Sequence, residues 1–191
     1  MRARLVWMGL SIGLAGIAWS GWHGWLAEAQ PRPGASMGPV VAEYGPVFEV
    51  ASPDFATELE RDYRAVFDVA RSPEQGDGAN PSIVTVARFL NMHAQAGVPQ
   101  ARLRAALVLH GAAGKDALHD LAYRQRFGRS NPNAPLIDKL HESGVRIILC
   151  GQTAASRGFE RGELAEPVEL ALSAMTALVA LQRDGFELIA F

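Results

Sequence analysis

"GVRIILCGQTAASRG", residues 144–158, holds the single cysteine of the 191-residue chain. Its first half, 145–150, is apolar except for Arg146 and does not alternate with polar residues. A short continuous apolar run closed by glycines is the pattern of a strand covered on both faces. "LRAALVLHG" (103–111) repeats that pattern. Strands of this kind belong to parallel sheets, whose crossover connections lay helices over both faces.

Helical segments lie around these two runs. "DYRAVFDVA" (62–70) reads as a strand, and "SPEQGDGANP" (72–81) as a turn-rich loop. Asn80 is a good N-cap and Pro81 a good first helical residue. From there Ile83, Val86, Ala87 and Leu90 recur at helical spacing, and Gly97 with Pro99 ends the helix. "KDALHDLAYRQRFG" (115–128) and "NPNAPLIDKLHESG" (131–144) read as helices, each closed by glycine. "PVELALSAMTALVALQRDG" (167–185) reads as one long helix opened by proline and closed by glycine. "FELIAF" (186–191) reads as a last strand and Val47–Val50 as a short edge strand. The alternation predicts a three-layer α/β sandwich with a mostly parallel sheet of about four or five strands.

The N-terminus differs from the rest. Arg2 and Arg4 precede an apolar stretch from Leu5 to Trp19, and Ala27-Glu28-Ala29 makes a small-x-small site before Gln30. This is the layout of a secretory signal peptide over residues 1–29. The apolar run is roughly 15 residues, short of the ~20 that span a bilayer. The alternative is an uncleaved N-terminal anchor; both expectations put the folded part outside the cytoplasm, in the periplasm or secreted, with no membrane contact after cleavage. Residues 30–60, rich in proline and glycine at the start, read as an irregular leader lying over a domain at 61–191. Composition is that of a globular protein, with 49% hydrophobic and 20% charged residues. The formal charge of −2 would become −3 on loss of Arg2, Arg4 and Glu28, so nothing basic is offered to nucleic acid.

Ligands of open parallel sheets bind outside the carboxyl ends of the strands. Asp68 and Arg71 fall at one such end, His110 and Gly111 at a second, Cys150 and Gly151 at a third. A thiolate is favoured beside a helix N-terminus or a cation. If residues 152–157 begin a helical turn, its free N–H groups face the Cys150 sulfur, and Arg157 folding back would add positive charge. Gly151 would permit close backbone approach. Against this, free cysteine is among the most buried residue types. A lone thiol in an oxidising compartment is buried and inert, paired between chains, or exposed for a reason. His110 reads as a base or donor, or as a hydrogen-bonded structural group. His93, His119 and His141 read as helix-surface residues. "GAAG" (111–114) reads as a tight strand-to-helix turn. One cysteine cannot build a zinc site, and no residue pattern calls for a metal or a cofactor. Val168, Leu172, Met175 and Val179 make an apolar stripe widened by Ala171, Ala174, Leu178 and Leu181. That breadth predicts a subunit interface on the long helix.

With these segments in order, "VRIILCGQTAASRG" resembles the active-loop region of the DsrE/DsrF-like family, which includes the TusD-type sulfur-relay proteins. The resemblance covers about residues 62–191. It implies a flavodoxin-like fold and a homo-oligomer, a trimer or hexamer. In sulfur-transferring members it implies a cysteine carrying sulfur as a persulfide, which by position would be Cys150, together with a sulfur donor or acceptor protein. The chain differs from the relay members in its export signal and leader. Two functions follow: stoichiometric sulfur carriage on Cys150, or a non-enzymatic oligomer that binds a small molecule or a protein, with Cys150 incidental.

Overall fold

A computed structural model describes residues 34–73 and 78–190. The expected signal segment 1–29 lies outside the described residues. Five parallel strands form the sheet: β3 (Tyr63–Val69), β4 (Leu103–Leu109), β5 (Arg146–Cys150), β6 (Val168–Ala171) and β7 (Glu187–Ala190), in the order β6-β5-β4-β3-β7. A separate antiparallel ribbon pairs β1 (Ala35–Ser36) with β2 (Val47–Phe48). The strand expected over 47–50 is therefore shorter and stays out of the main sheet. The loop between β1 and β2 is held by Asn91, whose side-chain amide accepts from the N–H of Val41 at 2.8 Å and donates to the carbonyl of Tyr44 at 2.8 Å.

The helices are α1 (Pro81–Gln95), α2 (Asp120–Phe127), α3 (Ala134–Glu142), α4 (Gly151–Arg157) and α5 (Ala174–Arg183). Asn80 caps α1 by accepting from the N–H of Ser82, with Pro81 in the first turn. The helix expected over 115–128 is broken. A 3-10 turn runs from Gly111 to Ala117, and α2 begins only after His119, whose ring accepts from the N–H of Ala122 at 3.1 Å.

A larger correction concerns residues 167–185. They are not one helix. Val168–Ala171 is the edge strand β6, and α5 begins after Ser173, whose hydroxyl accepts from the N–H of Thr176. The helical stripe through Val168 and Leu172 loses to backbone pairing with β5, where Ile147 meets Val168 and Cys150 meets Ala171. Tertiary hydrogen bonding decides between strand and helix where an apolar run satisfies either period.

The handedness of the crossovers then fixes the layers. From β3 to β6 each new strand is added on the same side, so right-handed connections put the intervening helices on one face. The last connection, β6 to β7, crosses back over the whole sheet and puts α5 on the other face. Strand side chains alternate to match. Phe67, Leu107, Leu109, Ile147 and Leu149 face the first core with Ile83, Leu90, Leu136 and Ile137. Val66, Ala106, Val108, Ile148 and Cys150 face the second core with Ala174, Ala177 and Leu181 of α5. Burying each such large side chain contributes roughly 1.5–3 kcal/mol. The second core is thin because a single helix covers it.

Candidate functional site

Cys150 ends β5, and its position follows from the topology. The chain after β5 enters α4, whose Ala154 packs into the first core. The chain after β6 enters α5 on the opposite face. Connections that part to opposite faces open a crevice between the two strand ends, where this class of sheet binds ligands. Cys150 ends the strand at that topological point: it is the N-cap residue of α4 and shares the second core with Ala174, the first residue of α5. Gly151 makes the approach possible: a Cβ on it would lie 2.5 Å from the carbonyl oxygen of Ala171 and 3.1 Å from that of Leu172.

The sulfur is less open than a strand end suggests. Cys150 is 6% exposed and belongs to the second core. Burial pushes its pKa up. That push is outweighed by the N–H and hydroxyl of Thr153 and the N–H groups of Ala174 and Gln152, so the thiol sits below its ordinary value. No cap hydrogen bond closes onto the neutral thiol, because sulfur is a weak acceptor until it ionises. The same donors favour the thiolate, which a helix N-terminus also stabilises.

His110 and Asp68 meet at the same edge. His110 follows Leu109, which pairs with Leu149, the residue before Cys150, so His110 and Cys150 come at the ends of adjacent strands. Nε2 of His110 is 2.8 Å from Oδ1 of Asp68 on β3. Both residues are half-buried. A carboxylate accepts only, so Nε2 carries the proton and Nδ1 is left to serve another group. On β3 and β4 the positions of Asp68 and His110 share the face of Val66, Val108 and Cys150.

Of the five candidate residues, the fold thus gathers Cys150, Gly151, His110 and Asp68. Arg157 stays away. It is exposed in the last turn of α4, about 10 Å along the axis from Cys150. The expected cationic help is supplied by backbone dipoles, chiefly at Thr153 and Ala174. Sequence reasoning missed both. The Cys150-to-Thr153 spacing, N-cap to third helical position, carried a signal for the first. Ala174 became visible only once β6 was a strand and Ser173 a cap. His93 is not a plain surface residue either: it lies half-buried between Tyr63 and Phe89, with ring centroids 4.6 and 4.4 Å away. Among the described residues no group of three His, Cys, Asp or Glu is arranged to hold a metal, and no helix is long and apolar enough to cross a membrane.

Comparison with known proteins agrees with this architecture. The sequence model of the DsrE/DsrF-like family matches residues 64–191. The protein of unknown function MTH1491 from Methanobacterium thermoautotrophicum is similar in structure, with a TM-score of 0.50 and 21% identity, over 68% of this chain and 100% of that one. The ychN protein from E. coli aligns with a TM-score of 0.48 and 18% identity, over 67% of this chain and 99% of that one. At 21% identity the likeness to MTH1491 speaks to the fold alone. No curated protein sequence matches the chain.

Proposed function

We propose that this chain, which belongs to the DsrE/DsrF-like family, is an exported sulfur carrier that takes up sulfane sulfur on Cys150. The observation that carries the reading is the convergence on one sulfur of donors from the N-termini of α4 and α5, beside the His110–Asp68 pair. The resemblance to the sulfur-relay members adds support. In the step, the Cys150 thiolate attacks the outer sulfur of a donor persulfide. A new S–S bond forms at Cys150, the donor's S–S bond breaks, and the donor leaves as a thiolate that takes up a proton. No outside oxidant is needed. His110, fixed at Nε2 by Asp68, exchanges that proton through Nδ1. A thiol titrating near ambient pH suits the task, because nucleophilicity falls along with pKa.

The carrier works as a homo-oligomer, a trimer or hexamer, in the periplasm or secreted. The Arg2/Arg4 and Ala27-Glu28-Ala29 layout supports export, and the exposed apolar residues of α5 support assembly. A second reading has one observation in its favour. The 6% exposure of Cys150 and its place in the second core suit an incidental thiol in an oligomeric binding module.

Mass spectrometry after incubation with polysulfide separates the two readings. The sulfur carrier gains the mass of one sulfur atom on the native protein, and Cys150→Ser gains none. Alkylation that occurs only after denaturation, with an apparent pKa at or above the free-thiol value of ~8.5, would sink the carrier.

A further inference from the structure

We propose that the groove between α1 and β7 binds an apolar carboxylic acid, its hydrocarbon body against Phe67, Phe89, Met92 and Ile189 and its carboxylate on the guanidinium of Arg88. This site is separate from Cys150 and does not depend on the sulfur-carrier reading.

The topology opens the groove. β7 lies at the edge of the sheet, and α5, the helix that leads into it, covers the opposite face. Helix α1 lays its core stripe, Ile83, Val86, Ala87 and Leu90, on the sheet. A second stripe at helical spacing, from Thr85 through Arg88, Phe89 and Met92 to His93, borders the groove over about 12 Å of helix. Phe67 and Ile189, paired across β3 and β7, line it from the sheet. Among the described residues the walls come from α1, β3 and β7 alone. The space they enclose is about 380 Å³, within the range of small-molecule pockets.

The walls decide the chemistry. Phe89 stands edge-on to Phe67 with ring centroids 5.6 Å apart, and the His93 ring lies 4.4 Å from that of Phe89. The polar lining groups differ in what they still offer. Thr85 donates its hydroxyl to the carbonyl of Pro81 at 2.9 Å. His93 holds Nδ1 at 2.8 Å from the carbonyl of Phe89, so Nδ1 carries the proton. Both donors are thus satisfied by the backbone of α1. In the neutral ring Nε2 is then an acceptor and offers a carboxylate nothing. Arg88 alone keeps donors in reserve. Its Nε donates to the carbonyl of Pro46 at 3.3 Å, and it makes no ion pair among the described residues. That bond anchors the guanidinium and leaves its outer nitrogens, a planar fork that matches a carboxylate. Apolar walls with one unpaired cation complement a ligand that has an apolar body and one anionic head.

The test is a titration of the protein with decanoate and, beside it, 1-decanol, followed by the methyl NMR signals of Met92 and Ile189. We expect saturable shifts with decanoate, and about tenfold weaker binding of decanol, which has the tail without the charge. Arg88→Gln should weaken decanoate by a similar factor and leave decanol unchanged. Met92→Glu sets a carboxylate on the groove wall and should abolish decanoate binding. Met92 is exposed, so this variant also covers the case in which Arg88→Gln does not fold. Equal affinity of the parent for decanol and decanoate, or an Arg88→Gln variant that binds decanoate like the parent, would overturn the proposal. Shifts spread equally over Met175 and Val179 would do the same, because they report adsorption to any apolar surface. Shifts at Met92 that follow protein concentration alone would put a second copy of the chain in the groove instead. A parent that binds only after Phe191→Ala would put Phe191 there, and either result removes the acid.

Discussion

Nε2 of His110 and Oδ1 of Asp68 lie 2.8 Å apart at the ends of the neighbouring strands β4 and β3, one and two strands away from the strand that ends in Cys150. A carboxylate in this place selects the ring orientation and the tautomer. Asp68→Asn keeps the size but puts a neutral amide in place of an acceptor-only carboxylate; its oxygen can accept from Nε2–H or its NH2 can donate to a bare Nε2, so the tautomer is no longer fixed. If the pair handles a proton during sulfur transfer, His110→Ala should slow transfer from a small persulfide about 100-fold. Asp68→Asn should show a smaller loss. Stopped-flow transfer rates for both variants at the parent rate would show the pair to be structural.

The lowered pKa of Cys150 makes stability depend on pH in a defined direction. Burial opposes ionisation, but the Thr153, Ala174 and Gln152 donors outweigh it. The folded pKa then lies below that of the unfolded chain, so the unfolded state holds the proton over the interval between them. This contribution is fully present above the unfolded value of ~8.5 and is lost as pH falls through the folded value. Urea midpoints of the parent measured against Cys150→Ser should therefore diverge as pH rises. A constant difference across that window would show that the sulfur is not stabilised as thiolate.

Arg126 and Glu163 make the opposite end of the acid range informative. The guanidinium donates through Nε and Nη2 to the two carboxylate oxygens, both at 2.7 Å. It also lies 5.1 Å over the ring of Phe159, tying α2 to the segment after α4. The Arg126 hydrogen bonds, helped by the Glu160 amide, hold Glu163 down at about 2. Its stabilisation is present above the ordinary carboxylate value of ~4.3 and lost as pH falls through about 2. Denaturation of Glu163→Gln should trail the parent at neutral pH and draw level with it toward pH 2. An equal gap at both ends would mean that the clamp acts through packing rather than charge.

The outer face of α5 and the link before it bear the prediction on assembly. Leu172 in the link, and Met175 and Val179 on the helix, are 73%, 75% and 59% exposed. A groove of about 240 Å³ runs beside them between α5 and β6, lined by Leu172, Thr176 and Ala180. Covering one such side chain contributes roughly 1.5–3 kcal/mol, so a charge in its place should weaken association by about 100-fold or more. Sedimentation at micromolar concentration should find the parent heavier than a monomer, and Met175→Glu or Val179→Glu should shift it to monomer. A parent that sediments as a monomer would remove the oligomer, and intact oligomers in both variants would move the interface elsewhere.

Much of the frame is decided locally and so is legible along the chain. Asn80-Pro81 starts a helix because the cap and the fixed φ act within one turn. The apolar runs of 105–109 and 147–150 become inner strands because no other position buries both of their faces. Cys150 falls at a strand end for the same reason, since the run stops there. What the tertiary structure alone decides is everything that depends on a neighbour far away in sequence. Residues 168–171 fit a helical stripe and an edge strand equally well, and only pairing with β5 makes them a strand. That choice starts α5 at Ala174 and so turns its amide toward Cys150. The meeting of Asp68 with His110, 42 residues apart, and of Gly111 with Thr153, another 42 apart, depends on strand order. Strand order is set by long-range hydrogen bonding and crossover handedness, which no local pattern encodes.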